Sequence, residues 1–207
     1  MRLCSATFAL LALALIGRLA AQNPVLLADA NETQPTTYLN PTDEVLSFGG
    51  WLYFQGDGGG GIGRELYRTN GAPGSMELVK DINPGDADSS PTEFTVLGNE
   101  FFFAAQGQET GIELWKSDGT AAGTVQAFDL TIYVTGSVPR NLTAMGGSLY
   151  FSTQHLPGLF KSDGTAQGTT TIFNDRVCSI FATDDKLFFC RGFSGRELWT
   201  SDGTTQG

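Results

Sequence analysis

Hydrophobic positions come in short bursts along this chain, not in helical stripes. Beyond Ala21 no stretch carries apolar residues at the three- and four-residue spacing of an amphipathic helix. A four-part pattern recurs instead. A short apolar run opens each unit: Val45 to Phe48, Phe94 to Leu97, Leu142 to Met145 and Val177 to Ala182. A small turn follows, as at Gly49-Gly50, Gly98-Asn99 and Gly146-Gly147, and such pairs accept positive φ and close hairpins. An aromatic stretch is next: WLYFQ from Trp51, EFFFAA from Glu100, SLYFST from Ser148 and KLFFCR from Lys186. After a loop of varying length come ELYRTNG from Glu65, ELWKSDG from Glu113, GLFKSDG from Gly158 and ELWTSDG from Glu197. Met76 to Ile82, Thr124 to Leu130 and Thr169 to Phe173 supply a fourth stretch. Four short strands in roughly 40–50 residues predict a propeller blade.

The runs Phe101-Phe102-Phe103 and Leu187-Phe188-Phe189 break strict alternation. A sheet with one wet face would place every second Phe in water, whereas a blade packed on both faces takes consecutive apolar residues. The predicted class is therefore all-β, a β-propeller-like array of four-stranded blades, with a sandwich as the alternative. The units are bounded at 44–91, 92–140, 141–176 and 177–207, the last without a fourth strand, after an N-terminal strand and linker at 22–43. VLLADAN from Val25 aligns with ELVKDIN from Glu77. The array is thus expected to be an incomplete ring, or a four-bladed ring closed by that N-terminal strand.

Residues 1–21 have a different grammar. Met1-Arg2 is basic, Ala6 to Ile16 is apolar except for Thr7, and Leu19-Ala20-Ala21 is small at its end. This is the pattern of a secretory signal peptide. Its apolar run is short of the ~20 residues of a membrane span, so an uncleaved anchor is the lesser alternative. Cleavage implies a secreted or cell-surface chain with no remaining span. Cys178 and Cys190 survive it, and an oxidising compartment favours their pairing over two buried thiols. A three-residue turn at Thr183 to Asp185 would pair Ala182 with Lys186 and set position 178 opposite 190.

Composition narrows the chemistry. The net charge is −10 with no basic block, which disfavours nucleic acid as a partner. The 27 glycines show no period of three, which excludes collagen. The chain has one His, His155, without the companions of a zinc site or a Ser-His base. Gly58 to Gly61 lacks the Lys-Ser/Thr pair and helix of a phosphate loop.

The stretches ELWKSDGTAAGT, LVKDINPG from Leu78 to Gly85, and LYF after a Gly-Gly turn resemble the ELWxxDGT repeat proteins of secreted bacterial origin. They look more distantly like the repeats of TolB-type propellers. The resemblance covers nearly everything after the signal peptide. It implies an extracellular, propeller-like protein, often labelled hyalin-like, with no known reaction. Arg68-Thr69-Asn70 departs from Lys-Ser-Asp, and Gly158 stands where the other units have Glu. No site that needs that Glu in every blade is therefore expected.

Several residues have both a scaffold and a functional reading. Asp118, Asp163 and Asp202, with Asn70 in the same place, precede a turn Gly and suit side-chain capping of that turn. Tyr67, Trp115, Phe160 and Trp199 share one position and suit inter-blade core over a ligand platform. Asp81, Asn83, Asp86 and Asp88 alternate like calcium ligands but lack a distal bidentate Glu. Calcium is the one cofactor these residues suggest, and ordinary turn chemistry accounts for them more simply. Asn31 and Asn141 head N-glycosylation sequons.

The loops after the second strand and between blades differ from unit to unit: Gly56 to Gly63, Asp81 to Pro91, Gln106 to Gly111, Thr131 to Arg140, Gln154 to Pro157 and Arg191 to Gly195. Variable loops on a rigid scaffold are where recognition concentrates. The sequence therefore points to a secreted, non-catalytic scaffold binding or adhering to an extracellular protein or glycan through one face. Two alternatives stay open: a glycan-acting hydrolase using carboxylates, and a structural repeat with no discrete ligand. Asp, Gly and Ser in the loops of an acidic chain favour cations, cationic patches or neutral glycans.

Overall fold

The computed structural model describes residues 44–57, 59–130, 136–192 and 197–206. The expected signal peptide at 1–21, the stretch from Val25 to Asn31, the sequon at Asn31 and parts of three variable loops lie outside the described residues. Among the described residues every regular element is a β-strand. The chain divides into two units, Met1–Ser90 and Pro91–Gly207.

The first unit contains one antiparallel sheet in sequence order: β1 (Val45–Phe48), β2 (Trp51–Asp57), β3 (Arg64–Thr69) and β4 (Glu77–Lys80). Gly49 and Gly50 both take positive φ in the β1–β2 turn, where a side chain would be strained. Leu52, Tyr53, Phe54, Leu66, Tyr67 and Val79 are buried. The fourth strand is shorter than the apolar run from Met76 to Ile82. It ends because the Ile82 N–H turns out of the sheet and donates to Glu65 Oε2 at 2.7 Å.

The second unit repeats this meander. β5 (Thr92–Leu97), β6 (Glu100–Gly107), β7 (Gly111–Ser117) and β8 (Val125–Phe128) form one sheet. β9 (Pro139–Met145), β10 (Ser148–Thr153), β11 (Leu159–Ser162) and β12 (Thr170–Phe173) form the next. β13 (Val177–Ala182), β14 (Leu187–Arg191) and β15 (Glu197–Ser201) form a three-stranded sheet. Cores lie between consecutive sheets. Phe102, Leu114 and Phe128 meet Leu142, Leu149, Phe151 and Phe160. On the other face of that middle sheet, Met145, Tyr150 and Leu159 meet Ile180, Leu187 and Phe189.

This packing explains the unbroken apolar runs. Leu149 and Phe151 point to one neighbouring sheet and Tyr150 to the other, so all three are buried. First strands lie against first strands. The Glu93 carboxylate accepts the Asn141 N–H at 2.6 Å, and the Thr95 hydroxyl donates to the Leu142 carbonyl at 2.8 Å. The Thr143 hydroxyl reaches the Ile180 carbonyl at 3.4 Å in the same way. Up-and-down sheets stacked in sequence with their first strands adjacent are propeller-type blades. The fold class is an all-β, propeller-like array.

Cys178 and Cys190 form a disulfide with Cα atoms 5.4 Å apart, inside the range such a bond requires. The register that places them differs from a three-residue turn. Ala182 pairs with Leu187, so the turn runs from Thr183 to Lys186 and is closed by Thr183 N–H donating to the Lys186 carbonyl at 2.8 Å. That extra residue shifts the pairing by one. A bulge between Val177 and Ser179 shifts it back, and Cys178 lies in the bulge.

Candidate functional site

The repeated Ser-Asp-Gly-Thr turns form one interlocked pattern. Asp118 Oδ1 accepts the N–H and the hydroxyl of Thr120 at 2.9 and 2.7 Å. Asp163 does the same with Thr165 at 2.9 and 2.7 Å, and Asp202 with Thr204 at 2.8 and 2.7 Å. Asn70 uses its amide oxygen on the Ala72 N–H at 3.0 Å. The Ser before each Asp caps the turn from behind: Ser117, Ser162 and Ser201 accept the N–H of Gly119, Gly164 and Gly203. The Thr hydroxyl, then the Thr N–H, hold all three Asp carboxyls below the usual range. These are Asx-turn bonds, and all of them fall on one carboxylate oxygen, Oδ1.

The turn glycines also meet a neighbouring sheet. Gly164 has φ +91, and a Cβ there would come 2.6 Å from Phe102 Cζ of the preceding sheet. A Cβ on Gly203, at φ +83, would overlap the Tyr150 hydroxyl. Glycine in this motif serves both the left-handed turn and the inter-sheet approach.

The Glu near the start of β3 and of β7 has a role that the residue pattern did not suggest. Glu65 and Glu113 are fully buried. Glu65 Oε1 accepts the Ser89 N–H at 3.0 Å, while Oε2 accepts the Ser89 hydroxyl at 2.6 Å. Glu113 accepts the Ser137 N–H at 2.8 Å and hydroxyl at 2.5 Å. Each carboxylate thereby fastens the segment leading into the next first strand. Burial raises both carboxyl pKa values, opposed by these hydrogen bonds and assisted by Asp81 near Glu65 and Asp129 near Glu113. The signal was present in the chain as two Ser-x-Pro segments, each 24 residues beyond a Glu. A carboxylate with no solvent exposure and its oxygens on protein donors is a clasp, not a surface acid.

Connecting loops are stitched to the hairpins beside them. In the first unit the Arg64 carbonyl accepts the N–H groups of Ser89 and Ser90, and Asp88 Oδ1 accepts the Arg64 N–H at 2.8 Å. In the second, the Ile112 carbonyl accepts the Val138 N–H at 2.9 Å, and Gly136 bridges Ile112. A Cβ on Gly136 would overlap the Ile112 backbone. His155 Nδ1 bonds the Gly136 carbonyl at 2.8 Å, and the Gln154 N–H bonds the Val138 carbonyl at 3.0 Å. The start of β7, the segment 136–138 and the loop at Gln154 and His155 are therefore braced to one another largely through the backbone.

The four oxygen-bearing loop residues of the first unit do not share one centre. The Asp88 carboxylate faces Arg64, and the Asn83 amide donates to the Asp88 carbonyl at 3.1 Å. Asp81 Oδ1 is buried and has no hydrogen-bond partner among the described residues, whereas Asp86 is exposed. Among the described residues no group of three or more His, Cys, Asp or Glu could hold a metal ion. Of the shared aromatic position, Tyr67, Trp115 and Phe160 are buried, and Trp199 is 36% exposed. Trp199 packs on Phe173 and Phe189.

No helix among the described residues is long and apolar enough to cross a membrane. A disulfide fits an extracellular or other oxidising compartment. No family model and no curated protein matches the chain. Among solved structures it is similar to a chain from a study of two prolyl endopeptidases, at 16% identity and TM-score 0.43, covering 74% of this chain and 24% of that one. It is also similar to an α-L-arabinofuranosidase from Clostridium thermocellum, at 13% identity and TM-score 0.40, covering 84% of this chain and 71% of that one. The chain thus spans about a quarter of the first and most of the second, and both scores are too low for either likeness to inform activity.

Proposed function

We propose that this chain is a secreted, non-catalytic propeller scaffold of the ELWxxDGT type that binds an extracellular protein or glycan through its loop end. One observation carries the reading. The polar residues that recur from unit to unit are committed to the scaffold, Asp118, Asp163 and Asp202 to their turns and Glu65 and Glu113 to their clasps. What differs between units is the loop end, which in the second unit is braced by backbone hydrogen bonds. A rigid frame carrying dissimilar loops is suited to recognition.

The test is retention of the secreted chain on a panel of immobilised extracellular glycans and matrix proteins, with the soluble fraction assayed for released fragments. Retention without release supports the scaffold. Release of shortened products would replace it with a hydrolase, and retention of nothing would leave a purely structural repeat.

A further inference from the structure

Basic residues in the second unit are sorted by type and by end. Lys116, Lys161 and Lys186 lie at the end of the short hairpin turns. There Lys116 bonds Glu100 at 3.0 Å, and Lys161 bonds the Gly203 carbonyl at 3.2 Å. The described arginines lie at the opposite, loop end: Arg140 near the start of β9, Arg176 before β13 and Arg191 at the end of β14. His155 is exposed at the same end. The acidic groups there on the last two sheets are Asp175 and Glu197. Asp175 accepts the Arg176 N–H and Arg191 Nε, and Glu197 accepts Trp199 Nε1–H.

Arg140 and Arg191 are each held by one hydrogen bond to a side chain of the last two sheets. Arg140 is exposed, and among the described residues its guanidinium bonds Gln154 Oε1 alone, at 3.0 Å. Arg191 gives Nε to Asp175 and lies 5.2 Å from the Trp199 ring centre, with its side chain 42% exposed and no further hydrogen bond from its terminal N–H groups among the described residues. A guanidinium has five N–H donors in a planar fork matched to carboxylate and sulfate oxygens. The start of β13, which follows Arg176, and the end of β14, which carries Arg191, are pinned side by side by the Cys178–Cys190 disulfide and by Gly192 N–H donating to the Arg176 carbonyl at 3.0 Å. Such fixing lowers the ordering cost of binding.

We infer that the loop end of the last two sheets binds the anionic groups of an acidic glycan, with Arg140, Arg176 and Arg191 as its contacts. This rests on the scaffold reading and names its ligand class. It also reverses the preference for cations and neutral glycans that the overall charge suggests, because the net charge of −10 is not spread evenly over the surface.

The experiment measures affinity of the full secreted chain for polygalacturonate, dextran sulfate and neutral dextran. One or both polyanions should bind, weakening as salt rises, and which one binds separates carboxylate from sulfate recognition. The Arg140→Gln/Arg176→Gln variant leaves the Arg191–Asp175 pair intact and should lose about tenfold or more in affinity. Lys116→Gln/Lys186→Gln, at the other end, should lose none. Equal affinity for neutral dextran, an unchanged Arg140→Gln/Arg176→Gln variant, or no binding to either polyanion would overturn the inference. In those cases retention on a protein or neutral glycan would still sustain the scaffold, whereas release of products would sink the scaffold itself.

Discussion

The Glu65 carboxylate accepts the backbone N–H and the hydroxyl of Ser89, 24 residues downstream, and its second oxygen also takes the Ile82 N–H. Both oxygens therefore face a main-chain donor. Glu65→Gln must turn its amide nitrogen toward one of them, and an amide nitrogen cannot accept. The substitution should cost about 3 kcal/mol, the upper range for a charge-assisted bond. Ser89→Ala removes only the hydroxyl and should cost about 1.5 kcal/mol. Urea unfolding of the two variants checks the order, and equal losses would remove the clasp from the account.

Stability should peak at mildly acidic pH. Burial raises Glu65 and Glu113 above 4.5, so between 4.5 and their folded values the native chain holds protons that the unfolded chain has released. Their contribution is full below 4.5 and falls as pH rises through the folded pKa. Asp118, Asp163 and Asp202 are lowered from 3.8, chiefly by a Thr hydroxyl, so their contribution is present above 3.8 and lost as pH drops. Unfolding midpoints should decline on both sides of this window. Replacing Glu65 and Glu113 by Gln should flatten the neutral limb, and Asp118→Asn should soften the acid limb.

The blade pattern was legible because strand period, turn glycines and the repeated ELWKSDG run all give one answer, and each reports local geometry. The clasp was harder to see. Glu65 and Ser89 meet across a loop, and only their shared spacing with Glu113 and Ser137 records it. The disulfide was legible as a pair but not in its register, since a longer turn and a bulge offset one another. The sorting of Arg from Lys was also written in the chain, but it has meaning only once the ends of the sheets are known. Total charge hid it.

Gly164→Ala should destabilise far more than Gly146→Ala. Both positions have positive φ, +91 and +56, which costs a non-glycine residue about 1–2 kcal/mol. Nothing lies within 4 Å of a Cβ at Gly146, but Phe102 blocks one at Gly164, adding about 1–3 kcal/mol of overpacking. Equal losses in thermal unfolding would show that the turn, and not the approach of the next sheet, requires glycine.

Reduction of Cys178–Cys190 should lower stability by about 2–3 kcal/mol, the cost of freeing a short loop in the unfolded chain. Hydrogen exchange should quicken first in β13 and β14, where the bond ties the bulge to its partner strand. Quickening confined to β9 or β10 would place the restraint elsewhere.

The most direct test of the scaffold reading follows one sample through binding and recovery. The chain is incubated with each polysaccharide it retains, the complex is dissociated, and the glycan is sized by chromatography. Unchanged chain length after prolonged incubation is the predicted result. Shortened oligosaccharides that accumulate with time, and vanish when the chain is heat-unfolded beforehand, would contradict it.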